Sequence, residues 1–590
     1  MLTSHPAARW GLHVVAYLVL VVALLGLVDR DDSWNFDDGA YATQVRVLRD
    51  GRGDGSWAYP YLHRDRDPAS RFAPVSHSTT TSEGTFPYVK QPAWIEVLRA
   101  STALADQVGD PVWGLYLPAV LGAVAAALVA GLLAERLAPE LVGVGPIAFW
   151  AVGLGPLVVQ TQAMWAHTTA AALGGAAALG LVALAQRRGR WWHLVGMSAS
   201  VALLASLRTE AALFAVALAV VAGLVAGHAA LAVGSSRVRA AVAAAWWALP
   251  VVAAWAIARV GTNRWMVHLA PGTAVDGPVD AGPQFGLVAG RINGLLRTFV
   301  DGMGASAAGT SLALVAMALA VLAGSAARRR PERAVEALAL LGLAVCVLVL
   351  RSAVAPDDLG GFAAAAPLVL TGLAAWRWAE APTAERALVG LVALHAVAVI
   401  AVQYPEGGSR DWGGRFLFPV LVPASVVAVT TLWRLLGAAR TAAPADASAD
   451  ERHARNRPNG GLGTPHSGVG GWVWVAAGLL VVAAVPTAAG LHATDRTRAS
   501  NRALTDLTLS VDAPTVIRIP RYLTRTSWRA LPGPDWLSAD VDHAAEALAL
   551  LRPGRTEPVA VVGNGADKVR ARGYEREVRS PVVVVFTPVG

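Results

Sequence analysis

Directly after the first apolar run the sequence reads DRDDSWNFDDGAYATQVRVLRDG, which puts the adjoining carboxylates of Asp37 and Asp38 a few residues from the expected membrane surface. Tyr41, Val45 and Leu48 recur behind them at helical spacing. The pattern predicts an amphipathic helix lying on the membrane, with the acids at its N-terminal end, where the helix dipole favours negative charge. A carboxylate held where water is partly excluded can take a proton from an attacking hydroxyl. A second one beside it can tune that basicity or help to hold a divalent cation. The plainer reading is an acidic N-cap on a solvated loop, because Asp is a favoured cap residue.

The same loop ends in TFPYVKQPAWIEVLRA. Pro92 suits a first helical turn, and Trp94, Ile95 and Leu98 give one apolar face, so a second interfacial helix is expected to lead into the next span. Lys90 stands just before it. Of 49 basic residues only Lys90 and Lys568 are lysine, and a compact ammonium is a point-charge partner for a phosphate. A lysine snorkelling to the interface is the alternative. Three further polar clusters fall at the outer ends of apolar runs. QTQAMWAHTT holds His167, which is a ligand candidate or an ordinary interfacial histidine. SLRTEAALF holds Arg208 and Glu210, either a structural ion pair or part of a site, since ionisable groups at such depth are usually paired or functional. In DWGGRFLFP, Gly413 and Gly414 free the backbone just before Arg415, which can then grip a phosphate by two hydrogen bonds.

Two other signals carry less. Asp65-Arg66-Asp67, after His63, has the look of a metal and nucleotide-sugar motif, and His77 lies in the same loop, but no spacing here resembles a closed zinc site. In VVGNGADK only Gly563 and Gly565 of a nucleotide fingerprint are present, so a plain turn is expected.

The elements that must position these groups follow from composition. The chain has 590 residues, 55% hydrophobic and 15% charged, against roughly 25% charged in an average soluble domain. That excludes a soluble enzyme. The single cysteine, Cys346, lies in an apolar run, which excludes an intramolecular disulfide. The net charge of +8 comes from Arg in short loops rather than from one basic domain, so topology explains it and no nucleic-acid partner is expected.

Apolar runs predict about thirteen spans, near 11–28, 112–134, 141–160, 164–185, 194–207, 210–232, 241–261, 307–327, 334–355, 362–380, 387–403, 416–436 and 471–490. With a cytoplasmic N-terminus, Arg187, Arg188, Arg190, Arg237, Arg239, Arg328, Arg329, Arg330 and Arg333 all fall on the cytoplasmic side, the expected bias. No small-residue cleavage site precedes Asp29, so the first run reads as an uncleaved anchor. Segments 29–111, 262–306, 404–415 and the tail then lie outside.

The expected fold is an α-helical multi-spanning membrane protein with a small extracytoplasmic α/β domain. Its parts are a transmembrane catalytic module over 1–436, with 29–111 as the first outer loop, and a disordered cytoplasmic linker over 437–470. A last transmembrane helix over 471–490 and the α/β domain over 491–590 follow. APTVIRIP, EPVAVVG and SPVVVVFTP read as its short buried strands, with DHAAEALALL as a helix.

Together, FDDGAYATQVRVLRDG after the first span, SWAYP, YVKQPAW before the second span, the RTE junction and GGRFLFP resemble the GT-C superfamily of membrane glycosyltransferases, which use polyprenyl-phosphate sugars. The resemblance extends to the protein O-mannosyltransferases and lipid A aminoarabinose transferases, and covers most of residues 10 to 436. Gln91 separates Lys90 from Pro92 here, a departure from the family's lysine-proline segment. The resemblance implies an inverting transfer. Asp37 is the general base for an acceptor hydroxyl, and Asp38 shapes the site electrostatically or through a cation. Lys90 and Arg415, with Arg208 or His167, stabilise the departing polyprenyl phosphate. Tyr88 and Glu210 complete the expected substrate-binding set.

A lipid-linked sugar carries its own leaving group, so no nucleotide cofactor is required, and Mg²⁺ or Mn²⁺ at Asp37 and Asp38 is left open. The partners implied are the polyprenyl-phosphate donor, an envelope glycan, lipid or protein acceptor, and membrane lipid. Heavy Ala, Arg and Gly usage points to a bacterial cell (inner) membrane, with the active site outside. Two other classes compete. A secondary transporter favours ionisable groups near the midplane and an inverted repeat, whereas these clusters crowd at outer ends. A polysaccharide ligase or polymerase usually keeps its key residues in a large late loop rather than the first.

Overall fold

The computed structural model describes residues 6–28, 30, 33–50, 56–59, 61–74, 79–81, 84–271, 287–302, 305–330, 334–402, 412–442, 467–520, 526, 528–529 and 535–589. His77, most of the 404–415 loop and most of the 437–470 linker lie outside the described residues. Among the described residues, ten helices are long and apolar enough to cross a membrane. The chain is a multi-pass helical membrane protein with a small C-terminal mixed sheet.

Two of the expected spans are realised as shorter pieces, and a third stays one helix shorter than a full crossing. The 141–160 run is two helices, Val144–Gly153 and Pro156–Gln160, and the 362–380 run is Phe362–Ala365 followed by Pro367–Ala375. Both breaks fall at a proline, whose missing N–H and ring end the preceding helix. The 194–207 run is the single helix Trp191–Leu207. An apolar run measures hydrophobicity, and helix continuity is a separate property.

The two helices expected after the first span and before the second form, Phe36–Asp50 and Pro92–Asp106, the second burying Trp94, Ile95 and Leu98. The last long helix, expected to end near 490, continues unbroken from Ser467 to Ser510. Its polar half holds because Thr494, Arg498, Asn501, Thr505 and Thr508, spaced by alternating fours and threes, form one buried stripe. That spacing keeps all five on one face of the helix.

The C-terminal sheet begins at β3 (Thr515–Arg518) and adds β4 (Asp535–Ser538), β5 (Val559–Val562), β6 (Tyr574–Ser580) and β7 (Val583–Pro588). Their order is β4-β3-β5-β7-β6, with β3 parallel to β4 and β5, and β7 antiparallel to β5 and β6. A two-stranded ribbon of β1 (Thr79–Thr80) and β2 (Thr85–Phe86) lies in the segment between the first two spans. Alternation along the strands gives the C-terminal sheet two buried faces. Ile517, Leu537, Val561 and Phe586 pack with the Ala544–Leu551 helix, whereas Val516, Trp536, Ala560 and Val562 join the core of the helical body.

The segment between the first two spans is built into this unit. Phe72 is buried in the sheet's outer core. The Ser538 N–H donates to the Phe72 carbonyl (2.9 Å) and the Ser538 hydroxyl to that of Ala73 (2.5 Å). Asp67 makes the turn by accepting from the Arg71 and Phe72 amides (3.0 and 2.9 Å) and from the Tyr61 hydroxyl (3.0 Å). The second acid of Asp65-Arg66-Asp67 is thereby committed to loop structure.

Candidate functional site

The site starts at a helix cap. Asn35 precedes the Phe36–Asp50 helix, and its side-chain oxygen accepts the Asp37 N–H at 2.8 Å, the usual work of an N-cap asparagine. The Ser33 hydroxyl lies 2.6 Å from the Asn35 carbonyl and accepts the Asn35 N–H at 3.1 Å. The two following acids then point to different surroundings. Asp38 is fully buried, with one carboxylate oxygen accepting the Met164 N–H at 2.8 Å and the other the Ser33 hydroxyl at 2.9 Å. Burial pushes its carboxyl up to about 7, while the bonds from Met164 and Ser33 and the charge of Arg498 pull the other way. Asp37 stays 35% exposed and faces Arg415 across 3.6 Å, with the arginine 17% exposed.

Arg415 is delivered by a glycine turn. Gly413 and Gly414 adopt φ of 84° and 66°, the left-handed region that L side chains rarely adopt. A Cβ on Gly414 would stand 2.7 Å from the Thr298 carbonyl oxygen. The Gly413 N–H donates to the Gly360 carbonyl (2.9 Å), and Gly360 is itself bridged to Asp301. Asp301 and Arg351 form a buried ion pair behind this turn at 2.5 Å. The guanidinium carbon of Arg415 lies 5.6 Å from the Trp165 ring centroid and 4.7 Å from that of Phe416.

Beside this pair lie two phenols. The Tyr41 and Tyr88 rings meet edge to face at 4.4 Å, and the Tyr41 hydroxyl donates to that of Tyr88 (3.4 Å), which donates in turn to the Gln91 side-chain oxygen. Burial raises both phenols above their ordinary range, so each keeps its proton. Asp37, Arg208 and Arg415 are all within electrostatic reach of Tyr88. Arg208 is buried and held by Glu210 at 2.7 Å. His167 is buried between the Phe418 ring, stacked at 5.3 Å, and the Trp165 ring, edge-on at 4.3 Å, with Nδ1 3.1 Å from the Gln160 side-chain oxygen.

The structure thus gathers Asp37, Tyr88, Glu210 and His167 around the guanidinium groups of Arg208 and Arg415. Lys90 lies exposed on the segment that carries Tyr88 and has no ion-pair partner among the described residues. Asp38 is adjacent in sequence but turned into the protein. For a divalent cation the pair fits poorly, because both Asp38 oxygens already accept hydrogen bonds. Among the described residues no three His, Cys, Asp or Glu side chains converge on a metal position.

Sequence reasoning missed Tyr41 as a polar group, Trp165 as the face under Arg415, and two residues of the last long helix. Arg498 donates to the Gln162 carbonyl at 3.3 Å, and Asn501 donates to the Ser33 carbonyl at 2.8 Å. The buried 494/498/501/505/508 spacing was the available signal.

No family model matches the chain, and no curated protein matches it. Among solved structures it is similar to ArnT from Cupriavidus metallidurans bound to undecaprenyl phosphate, at 14% identity over 99% of each chain with a TM-score of 0.44. It is similar to the apo state of that protein at the same identity and TM-score, over 99% of this chain and 98% of that one.

Proposed function

We propose that this chain is an integral-membrane inverting glycosyltransferase, moving a sugar from a polyprenyl-phosphate donor to the hydroxyl of an acceptor outside the bacterial cell membrane. The observation that carries this reading is the loose pairing of Asp37 with Arg415 at 3.6 Å, half-open to solvent beside buried hydroxyl and guanidinium donors. An ion pair at that separation is available to be divided. A donor phosphate claims the guanidinium, leaving the carboxylate free to act as a base.

The step is a single displacement. The acceptor oxygen attacks the anomeric carbon as its proton passes to the Asp37 carboxylate, and the new C–O bond forms. The bond from that carbon to the phosphate oxygen breaks, and its electron pair leaves on the polyprenyl phosphate. Charge grows on the leaving oxygen, and preorganised donors stabilise it there. Arg415 meets it first, supported by Arg208, which Glu210 orients, beside the paired Tyr41 and Tyr88 rings. Lys90, exposed two residues from Tyr88, is the cation free to meet the phosphate at the rim. His167 seats the Phe418 ring and the Trp165 ring on which Arg415 lies. Asp38 bears on the reaction through its neighbour and does not touch substrate.

Membranes holding the full chain, supplied with a panel of labelled polyprenyl-phosphate sugars, are expected to release free polyprenyl phosphate as label passes to an envelope acceptor. Asp37→Asn is expected to express normally and to lose transfer by about a hundredfold or more. Wild-type turnover by that variant would remove Asp37 as the base. Failure of every lipid-linked donor, alongside turnover of a nucleotide sugar, would remove the reading itself.

A further inference from the structure

Asp38 accepts from two groups, and the last long helix holds the backbone segments that carry both. Its first donor is the Met164 N–H, two residues from the Gln162 carbonyl to which Arg498 donates. Its second is the Ser33 hydroxyl, and the carbonyl of that same Ser33 accepts from Asn501. Arg498 and Asn501 are neighbours on one face of their helix, three residues apart. Trp34, between Ser33 and the acids, adds its indole N–H to the Gln162 carbonyl at 2.9 Å. Asp38, Arg498, Asn501 and Trp34 are all fully or almost fully buried.

We propose that Asp38, Arg498 and Asn501 form a clasp that fixes Asp37 opposite Arg415, which makes the polar half of the last long helix a working part of the site. The same 161–166 turn carries Trp165, the ring beneath the Arg415 guanidinium, so one clasp sets the base and the seat of the phosphate-binding cation together. Geometry of this kind matters because a small displacement of a reacting group costs far more rate than binding. These three are positioning residues. Their catalytic consequence rests on the glycosyltransferase reading, and the clasp itself does not.

An asparagine at position 38 keeps the clasp. Its carbonyl oxygen can accept the Met164 N–H, and its amide can donate to the Ser33 hydroxyl, which then donates to the Asn35 carbonyl. A cation ligand or a charge-bearing role does not survive that substitution.

The test uses full-length protein in lipid nanodiscs, with Asp38→Asn, Asp38→Ala, Arg498→Met and Asn501→Ala, read two ways. In amide hydrogen exchange, Asp38→Ala, Arg498→Met and Asn501→Ala are expected to speed exchange about tenfold in segments 33–40 and 160–167, with Asp38→Asn within about threefold of wild type. In transfer from a labelled polyprenyl-phosphate sugar, the same three are expected to lose kcat by about tenfold or more at nearly unchanged donor KM, with Asp38→Asn again close to wild type. Equal damage by Asp38→Asn and Asp38→Ala would overturn the clasp in favour of a charge or ligand role. So would wild-type exchange in Arg498→Met and Asn501→Ala. A wild-type protein that turns over no lipid-linked donor counts against the glycosyltransferase reading, while the exchange measurement still decides the clasp.

Discussion

Asp37 and Arg415 are far apart in sequence and stand 3.6 Å apart, with the guanidinium also lying over the rings of Trp165 and Phe416. The carboxylate is therefore not the sole support of the arginine. Cation–π contacts contribute about 0.5–2 kcal/mol each, depending on desolvation, so the guanidinium keeps its place when the carboxylate turns to an acceptor. A base and an anion-binding cation can then coexist without neutralising each other.

From this arrangement Arg415→Lys is expected to raise donor KM about tenfold, because lysine keeps the charge and loses the planar fork and its aromatic stacking. Gly414→Ala is expected to reproduce that defect with Arg415 intact. A methyl group there stands 2.7 Å from the Thr298 carbonyl oxygen on a backbone at φ 66°. Binding of the proposed polyprenyl-phosphate donor to each variant checks both. Unchanged affinity in Gly414→Ala would show that the turn does not set the arginine.

Asp38 makes stability depend on pH. Its carboxyl stands at about 7 in the folded protein against 3.8 when unperturbed, because burial penalises the charge. Between those values the folded chain holds a proton that the unfolded chain has lost, so stability falls as pH rises from about 4 to about 7 and is level above. The full effect is at most on the order of 4 kcal/mol. Asp38→Asn removes it. The melting temperature of the variant relative to wild type is expected to climb across that window and then flatten, and a difference independent of pH would show that Asp38 is ionised throughout.

Behind the glycine turn, Arg351→Met leaves the Asp301 carboxylate buried without its partner, a change expected to cost about 3–5 kcal/mol. Asp301 is bridged to Gly360, whose carbonyl holds the Gly413 N–H, so donor binding is expected to weaken along with stability. Pairing Arg351→Met with Asp301→Leu removes both charges and is expected to restore most of the stability. Thermal melts of the two single variants and the double variant separate these outcomes, and full additivity of the singles would show that the two residues do not act as a pair.

The sequence made much of this site legible for one reason: charge next to lipid is costly, so Asp37, Arg208, Glu210 and Arg415 stood out against apolar runs. What it hid has equally physical causes. Hydropathy located the apolar runs but not the breaks at Pro156 and Pro367, where the missing N–H ends each helix. The rarity of lysine drew notice to Lys90, but a count carries no position, and the side chain lies exposed. Arg498 and Asn501 sit in TDRTRASNRALTD, which reads as a polar outer segment until its residues are taken at spacings of three and four. In the C-terminal unit β3, β5 and β7 were plain from their apolar runs, β4 and β6 were not read because they lack such runs, and the anchoring of the first loop by Phe72 depends on contacts between segments far apart in sequence.

That anchoring gives the last prediction. Phe72 is 4% exposed among Ile517, Leu537 and Phe586, on the side of the sheet away from the helical body. Phe72→Ala is expected to cost about 3–5 kcal/mol through lost burial and the cavity left behind. The cost should appear locally, as faster amide exchange in residues 61–74 and in β4, whose Ser538 is bonded to the Phe72 and Ala73 carbonyls. Arg71→Ala removes the neighbouring ion pair to Glu546, in which both side chains are about half exposed, and is expected to change stability by under about 1 kcal/mol. The contrast is the useful part. A loop held by charge would loosen in Arg71→Ala and tolerate Phe72→Ala. A loop held by its buried ring does the reverse, and would carry the sheet's disturbance toward the Tyr88 end of the same loop, so slower transfer in Phe72→Ala at unchanged expression is the functional counterpart to measure.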